Sequence, residues 1–191
     1  MSKKTWKDIE GWFNFSDLYS NMVKKYKNHN DVVFVEIGTW VGKSIAYLAT
    51  EVKNNNSKIK IYGIDNFIGT INNKLSDISK ERFNGDFYDV FLQNMEDCDL
   101  KEYITPIRKP SLEAVKEFED NSIDFLFIDG DHSYNAVIKD INAWYRKVKR
   151  GGVMAGHDLP QRGVTQALNE FTKANNITYK NVSKSCWIIR K

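Results

Sequence analysis

Carboxylates and imidazoles cluster at two points of this 191-residue sequence. Asp129 directly follows one apolar run and His132 comes three residues later, while His157 and Asp158 follow the next apolar run. If these runs are neighbouring parallel strands, Asp129 lies near His157 and Asp158 at one edge of the sheet. Two carboxylates and an imidazole, completed by water, would suit Mg²⁺, Mn²⁺ or Fe²⁺. The alternative is that Asp131 and Asp158 cap helices and the histidines make ordinary hydrogen bonds.

A glycine turn, Gly38 to Gly42, follows the first apolar run. Two glycines at a strand-to-helix turn let the backbone approach a ligand closely, and the start of a helix favours polar or anionic groups. Lys43 and Ser44 match the end of the phosphate-binding pattern G-x-x-x-x-G-K-[ST], but the turn is one residue too short for it. Glu36 would repel a phosphate, whereas a cationic sulfonium ligand tolerates a carboxylate there. A plain tight turn is the alternative.

Asp65 stands at the end of the second apolar run. An acidic side chain at this point of an α/β fold can accept hydrogen bonds from both ribose hydroxyls of an adenosine. An aspartate that caps a turn is the alternative. The combination with the Gly38–Gly42 turn favours the adenosine interpretation.

These residues are positioned by apolar, β-branched runs that recur along the chain between polar turns. The runs are continuous rather than alternating, which indicates strands buried on both faces of a parallel sheet. Helical patterns separate them, so the sequence predicts an α/β, Rossmann-like, doubly wound and mostly parallel seven-stranded sheet with helices on both faces and a C-terminal antiparallel hairpin. The predicted strands are Val32–Ile37, Ile59–Ile64, Tyr103–Ile107, Ile123–Ile128, Gly152–Ala155, Ile177–Val182 and Cys186–Arg190.

Two of the helical patterns have recognisable ends. The first spans Val137–Val148, and Lys149–Gly151 has the cationic last turn and the glycine stop expected at the end of a helix. The second spans Val164–Phe171 and ends at Asn175-Asn176.

An N-terminal segment, residues 1–30, precedes the first strand. It is rich in aromatic residues, and Trp6, Trp12 and Phe13 could either form a lid or pack on the sheet within an N-terminal helical segment. We favour packing.

An insertion, residues 66–99, follows the second strand. The sequence predicts a loop over Gly69–Asn73 and a helix over Glu81–Met95. Long insertions at strand ends are where α/β enzymes place lids and substrate contacts. We find no linker between domains, so residues 1–191 are expected to form one domain.

The composition indicates a globular protein, since 41% of the residues are hydrophobic and 13% are aromatic. The net charge of +3 is small and the basic residues are spread along the chain, so nucleic acid is not an expected partner. Cys98 and Cys186 have no metal or redox spacing and are expected to be free thiols. No apolar run reaches the roughly 20 residues that cross a membrane, and the polar N-terminus is unlike a signal peptide. We therefore expect a soluble, cytoplasmic protein.

The segments Glu36–Ser44, Asp129–Tyr134 and Gly151–Asp158, together with Asp65, resemble those of the class I S-adenosylmethionine-dependent methyltransferases. The resemblance extends from Val32 to Asp158. It is greatest to the small-molecule branch with the macrocin- and mycinamicin-type sugar O-methyltransferases and the cephalosporin-hydroxylase-like proteins. The closing hairpin suits the antiparallel seventh strand of that fold.

The resemblance implies a set of site residues. The metal ligands of the family fall on Asp129, His157 and Asp158, with His157 standing where an acidic residue is usual, and the general base falls on His132. Ser111 matches a position near the adenine, and a helix N-cap is the alternative for it. The residues implied to bind S-adenosylmethionine are Glu36, Gly38, Thr39, Gly42, Ser44, Asp65, Asn66 and Ser111.

The activity implied is metal-assisted O-methylation of a small hydroxylated acceptor, with S-adenosylmethionine as donor and Mg²⁺ or Mn²⁺ as the cation. One alternative is a P-loop-like nucleotide hydrolase or kinase, with Phe125–Asp129 imitating its metal-binding strand; the short glycine turn and Glu36 count against it. Another is a non-catalytic module that binds S-adenosylmethionine without turnover; the intact histidines and aspartates count against that. The sequence names no acceptor and leaves a homo-oligomer open.

Overall fold

The computed structural model of the protein describes residues 3–69 and 81–191. Within these residues a single sheet contains seven strands: β1 (Val33–Ile37), β2 (Lys60–Asp65), β3 (Ile104–Arg108), β4 (Ile123–Ile128), β5 (Val148–Gly156), β6 (Lys180–Asn181) and β7 (Trp187–Arg190). Their order across the sheet is β3-β2-β1-β4-β5-β7-β6. The first five strands are parallel, while β7 is antiparallel to both β5 and β6. The predicted topology is therefore confirmed.

Helices cover both faces of this sheet: α1 (Ser16–Tyr26), α2 (Lys43–Asn54), α3 (Tyr88–Asp97), α4 (Ser111–Ala114), α5 (Tyr134–Tyr145) and α6 (Arg162–Asn175). All six residues of β4 are buried. Phe125 and Phe127 belong to one hydrophobic cluster with α1, α2 and α3, whereas Leu126 and Ile128 belong to a second cluster with α5 and α6. Burial on both faces explains why the run of β4 is apolar at every position except Asp124.

The prediction that Lys149–Gly151 ends a helix is wrong. Helix α5 ends at Tyr145, and β5 begins at Val148, four residues before its predicted start. The strand register shifts opposite Ile123 and Phe125, and Gly151 has a φ of 80°. Gly151 therefore lies at an irregularity in strand β5. A glycine after basic residues can mark a helix end or such an irregularity, because both use the left-handed backbone conformation that glycine adopts easily.

Two other boundaries differ from the prediction. Residues 81–83 are helical, but Asn84 and Gly85 have positive φ values of 54° and 82°, so the predicted Glu81–Met95 helix is interrupted and α3 begins at Tyr88. The hairpin strands are shorter than predicted, because only Lys180–Asn181 pairs with β7. Most of the predicted Gly69–Asn73 loop, from residue 70 onward, lies outside the described residues.

The N-terminal aromatic residues divide into two groups. Trp6 and Phe13 pack against the first hydrophobic cluster, with their ring centroids 5.0 and 4.9 Å from that of Tyr47. The packing prediction therefore holds for these two. Trp12 instead is 72% exposed and stacks on Trp40 in the glycine turn, with the ring planes 16° apart.

None of the helices within residues 3–69 and 81–191 has the length and hydrophobicity that a membrane span requires.

Candidate active site

Gly38 brings the end of β1 into direct contact with the end of β4. It has a φ of 87°, and its N–H donates to the carbonyl of Ile64 over 2.8 Å. A Cβ at this position would lie 2.3 Å from the carbonyl oxygen of Asp129. Only glycine fits so close to another backbone. The glycine turn and the residues that follow β4 are therefore held side by side.

Gly42 performs the corresponding role at the other end of the turn. It is the N-cap of α2 with a φ of 98°, and a Cβ there would lie 2.5 Å from Cε of Met95 on α3. Both predicted glycines are thus favoured by their backbone conformation, and Gly38 is also required by its packing against backbone atoms. Their contact with a ligand stays a prediction.

Glu36 is buried at the end of β1, where both of its carboxyl oxygens accept hydrogen bonds from protein hydroxyls. The Tyr19 hydroxyl donates over 2.7 Å and the Ser44 hydroxyl over 2.5 Å. Burial raises the pKa of Glu36 to about 8, although the two hydrogen bonds act in the opposite direction. Tyr19 reaches Glu36 from α1, and no local sequence pattern indicates this contact.

Glu36 should make stability depend on pH. Below its ordinary pKa of 4.5 the carboxyl is protonated in both states, and above it the unfolded chain ionises while the folded chain stays protonated up to about pH 8. The free energy of unfolding should therefore fall by on the order of 3–5 kcal/mol across this window. The glutamine of E36Q cannot ionise. The free energy of unfolding of E36Q in urea, relative to that of wild type, should therefore increase from pH 5 to pH 8. Parallel stability curves for the two proteins would show that Glu36 is already ionised in the fold.

Two polar atoms of the glycine turn lack partners. In the part of the chain that the structure describes, Thr39 Oγ1 and Trp40 Nε1 are the buried side-chain polar atoms without a hydrogen bond. Leaving such groups unsatisfied costs about 1–3 kcal/mol each. Trp40 also has a φ of 47°, which is strained for a bulky residue. Unpaired polar atoms and backbone strain at the same turn are features that ligand sites often have.

Asp65 supports this turn from β2. Its carboxylate accepts from the backbone N–H of Trp40 over 2.9 Å and from that of Phe67 over 2.8 Å. Burial raises the pKa of Asp65, and the backbone hydrogen bonds counteract it. Asn66 next to it accepts from the N–H of Ile68 over 3.0 Å. Asp65 thus caps the turn, as the alternative interpretation expected. Its carboxylate oxygens have further lone pairs that could accept hydrogen bonds from a ribose.

Ser111 is the first residue of α4, and the N-cap is Pro110, so the N-cap alternative for Ser111 is wrong. Its hydroxyl donates to Oδ1 of Asp140 over 2.7 Å and accepts from Nε1 of Trp144 over 2.8 Å. Burial raises the pKa of Asp140 to about 6. These bonds join α4 to α5, a role that the sequence did not reveal.

The predicted metal and base residues come together at the carboxyl ends of β4 and β5. Nδ1 of His157 lies 3.4 Å from Oδ1 of Asp129 and 3.2 Å from Oδ2 of Asp158. Nε2 of His132 lies 2.7 Å from that same Asp158 oxygen. Two imidazoles therefore face one pair of carboxylates.

The loop with His132 is held against the start of α6. A Cβ at Gly163 would lie 2.4 Å from the carbonyl oxygen of His132, and Nε2 of Gln161 lies 2.9 Å from Nδ1 of His132. Neither Asp131 nor Asp158 is a helix N-cap, because Ser133 and Gln161 occupy those positions. That part of the alternative interpretation is wrong.

The mutual hydrogen bonds shift the pKa values in this cluster. The hydrogen bond with Asp158 raises the pKa of His132. Burial lowers the pKa of His157, but the bonds to Asp129 and Asp158 outweigh it and raise the value to about 10. For Asp158 burial acts upward and the two histidines hold its pKa well below the usual range, whereas for Asp129 burial dominates and raises the pKa.

The donor set fits a divalent cation. Ligand atoms of Asp129, His132 and Asp158 all lie within 4.8 Å of one another. The sequence predicts His157 as the imidazole ligand, and His157 also faces Asp129 and Asp158. Either His132 or His157 could therefore supply the imidazole ligand of the cation. Carboxylate oxygens with an imidazole suit Mg²⁺ or Mn²⁺.

Comparison with known proteins identifies the class to which this fold and site belong. Residues 35–159 match the family model described as a methyltransferase domain. The chain therefore belongs to this family, the class I S-adenosylmethionine-dependent methyltransferases. An uncharacterized protein of Acanthamoeba polyphaga mimivirus is 33% identical over 142 residues, which cover 74% of the chain. The chain spans only 57% of that relative's length.

Solved structures share the fold. The O-methyltransferase NovP superposes with a TM-score of 0.72 at 15% identity, covering 92% of this chain and 78% of NovP. An S-adenosylmethionine-dependent O-methyltransferase of Thermotoga maritima gives 0.58 at 15% identity, covering 94% and 66%. At these identities the likeness concerns the fold alone. The family match does not favour the alternative of a P-loop nucleotide hydrolase.

Proposed function

We propose that the chain transfers the methyl group of S-adenosylmethionine to a hydroxyl oxygen of a small acceptor molecule. The observation that carries this proposal is the contact between the glycine turn and the histidine–aspartate cluster, since Gly38 packs on the backbone of Asp129. A donor bound on the turn and a hydroxyl held at the cluster would be neighbours. Holding two reactants in this way is worth effective molarities on the order of 10⁵–10⁸ M.

The donor would be bound by the residues predicted from the sequence. Asp65 would accept from the ribose hydroxyls, and Thr39 Oγ1, which is buried without a partner, would bond to the ligand only if the turn opens. Glu36 and Ser44 would act mainly by fixing the turn, because they bond to each other. The remaining predicted donor residues are Gly38, Gly42, Asn66 and Ser111.

Asp129 and Asp158, with an imidazole, would hold a divalent cation. When bound, such a cation supplies positive charge that lowers the pKa of a nearby hydroxyl and directs its lone pair. Asp129 and Asp158 would orient the acceptor by holding the cation close to its hydroxyl group. The likeness to O-methyltransferases supports a hydroxylated molecule as acceptor.

His132 would accept the proton of the acceptor hydroxyl. Its Nε2–H donates to Asp158, which leaves Nδ1 as the basic atom. The Gln161 amide donates to Nδ1 over 2.9 Å, as an acceptor hydroxyl would, so Gln161 must move aside for the acceptor. The oxygen then forms its bond to the methyl carbon, the carbon–sulfur electron pair returns to sulfur, and the proton goes to Nδ1.

S-Adenosylhomocysteine binding tests the donor site. Losing hydrogen bonds to a charged acceptor costs about 1.5–3 kcal/mol each, so D65A should bind this product roughly ten- to hundred-fold more weakly in calorimetry. D17A, which removes an exposed carboxylate on α1, should bind as wild type does. Because Asp65 also holds backbone N–H groups, a ribose-deoxygenated analogue separates the two roles. Wild type should prefer the intact product over the analogue, and D65A should not.

Two results would contradict the proposal in different ways. Unchanged product affinity in a folded D65A protein would remove Asp65 from the donor site. A wild-type protein that binds ATP but no S-adenosylhomocysteine would overturn the proposed function as a whole.

A further inference from the structure

Asn14 touches the candidate active site from a segment far away in sequence. Its Oδ1 lies 3.0 Å from Nε2 of His157, across 143 positions of the chain. The same oxygen accepts from the Ser185 hydroxyl over 3.2 Å, in the turn between β6 and β7. Residue 14 precedes the family match, which begins at residue 35. The contact is therefore a feature of this chain that the family resemblance did not supply.

The contact keeps a proton on Nε2 of His157, because an amide oxygen can only accept and the ring nitrogen that faces it must donate. Nδ1, on the other side of the ring, donates to Asp129 and Asp158, 3.4 and 3.2 Å away. A metal ligand must give up its proton, so a divalent cation held by the two carboxylates would replace the Nδ1 proton while Nε2 stays protonated against Asn14. Nδ1 is therefore the nitrogen of His157 that can bind a cation.

The ring is held in this orientation from several sides. The Phe15 ring packs on it with centroids 5.1 Å apart. The backbone N–H of His157 donates to Ile128 over 3.1 Å, and its carbonyl accepts from Nε1 of Trp187 over 3.2 Å. The fixed backbone leaves the ring orientation to its side-chain partners, and Asn14 is the partner opposite the carboxylates.

We propose that Asn14 is a positioning residue that holds His157 in the orientation in which Nε2 keeps its proton and Nδ1 is directed, with Asp129 and Asp158, at a divalent cation. This inference rests on the metal site of the proposed function. Partners that hydrogen-bond the far nitrogen of a metal-binding histidine typically change metal affinity 10- to 100-fold. The N-terminal segment would thereby complete a site whose other residues come from the family core.

Calorimetric titration of Mn²⁺ into the 191-residue protein tests the inference. N14A should bind Mn²⁺ about 10- to 100-fold more weakly than wild type. N14D keeps an acceptor opposite Nε2 and should retain at least the wild-type affinity. N142A removes an exposed amide that bonds only within α5, and it should leave the affinity unchanged. Thermal melts of each variant show whether the fold is intact.

Three outcomes overturn the inference. Wild-type affinity in N14A means that Asn14 does not position the ligand. An equal loss in N14A and N14D means that the amide has a structural role only. If wild type takes up no Mn²⁺, the metal site fails together with this inference, while S-adenosylhomocysteine titrated into the same sample reports separately on the donor site.

Discussion

H132A should turn over about 10²–10⁴-fold more slowly than wild type at saturating donor and acceptor, while its affinity for S-adenosylhomocysteine stays unchanged. The reason is that His132 holds a hydrogen bond to Asp158 through Nε2 and offers Nδ1 to the acceptor hydroxyl. Single-turnover rates measure the loss, after a screen of hydroxylated sugars and phenols has supplied an acceptor. H29A is the matched control, since His29 is the chain's remaining histidine and is exposed.

Two further measurements separate a base from other roles of His132. If it is a metal ligand instead, as its distance to Asp129 and Asp158 allows, H132A should lose Mn²⁺ affinity as well as rate. If it is the base, the wild-type rate should rise with pH through a pKa above 6.5, because Asp158 stabilises the protonated ring and only the neutral ring accepts a proton. A rate within a few-fold of wild type would exclude His132 as the base.

Sequence patterns predicted those parts of the fold whose signal is local. The β4 run is apolar at nearly every position because both of its faces are covered, and its predicted bounds, Ile123–Ile128, match the structure. A glycine after basic residues is ambiguous, because it occurs both at helix ends and in irregular strands. The pattern at Lys149–Gly151 predicts a helix end, whereas this segment belongs to strand β5. Local spacing cannot distinguish them; only the pairing partner of the segment can.

The candidate site shows the same limit. Asp129, His132, His157 and Asp158 could be found because each follows a strand, and the ends of parallel strands meet at one edge. Partners from other segments carried no signal of their own. Asn14 reaches His157 across 143 positions, and Tyr19 reaches Glu36 from a helix that precedes the sheet. Such contacts depend on how the N-terminal segment packs on the sheet, and local sequence patterns do not predict that packing.

G38A should be among the most damaging single-methyl substitutions in this chain. Its Cβ would lie 2.3 Å from the Asp129 carbonyl oxygen and 2.7 Å from Cα of Gly130, and these backbone atoms cannot turn aside as a side chain can. Left-handed backbone costs a non-glycine residue about 1–2 kcal/mol, and overpacking adds about 1–3 kcal/mol. The free energy of unfolding in urea should therefore fall by about 2–5 kcal/mol.

G151A separates the two costs. Gly151 has a φ of 80°, close to the 87° of Gly38, but a Cβ there would meet no atom within 4 Å. G151A should thus lose only the conformational part, and the difference between the two variants measures the contact between β1 and β4. G38A should also bind S-adenosylhomocysteine more weakly than G151A under conditions where both are folded, because relieving the clash must move the glycine turn away from Asp129. Equal stability and equal product affinity in the two variants would mean that this contact does not hold the donor turn against the histidine–aspartate cluster.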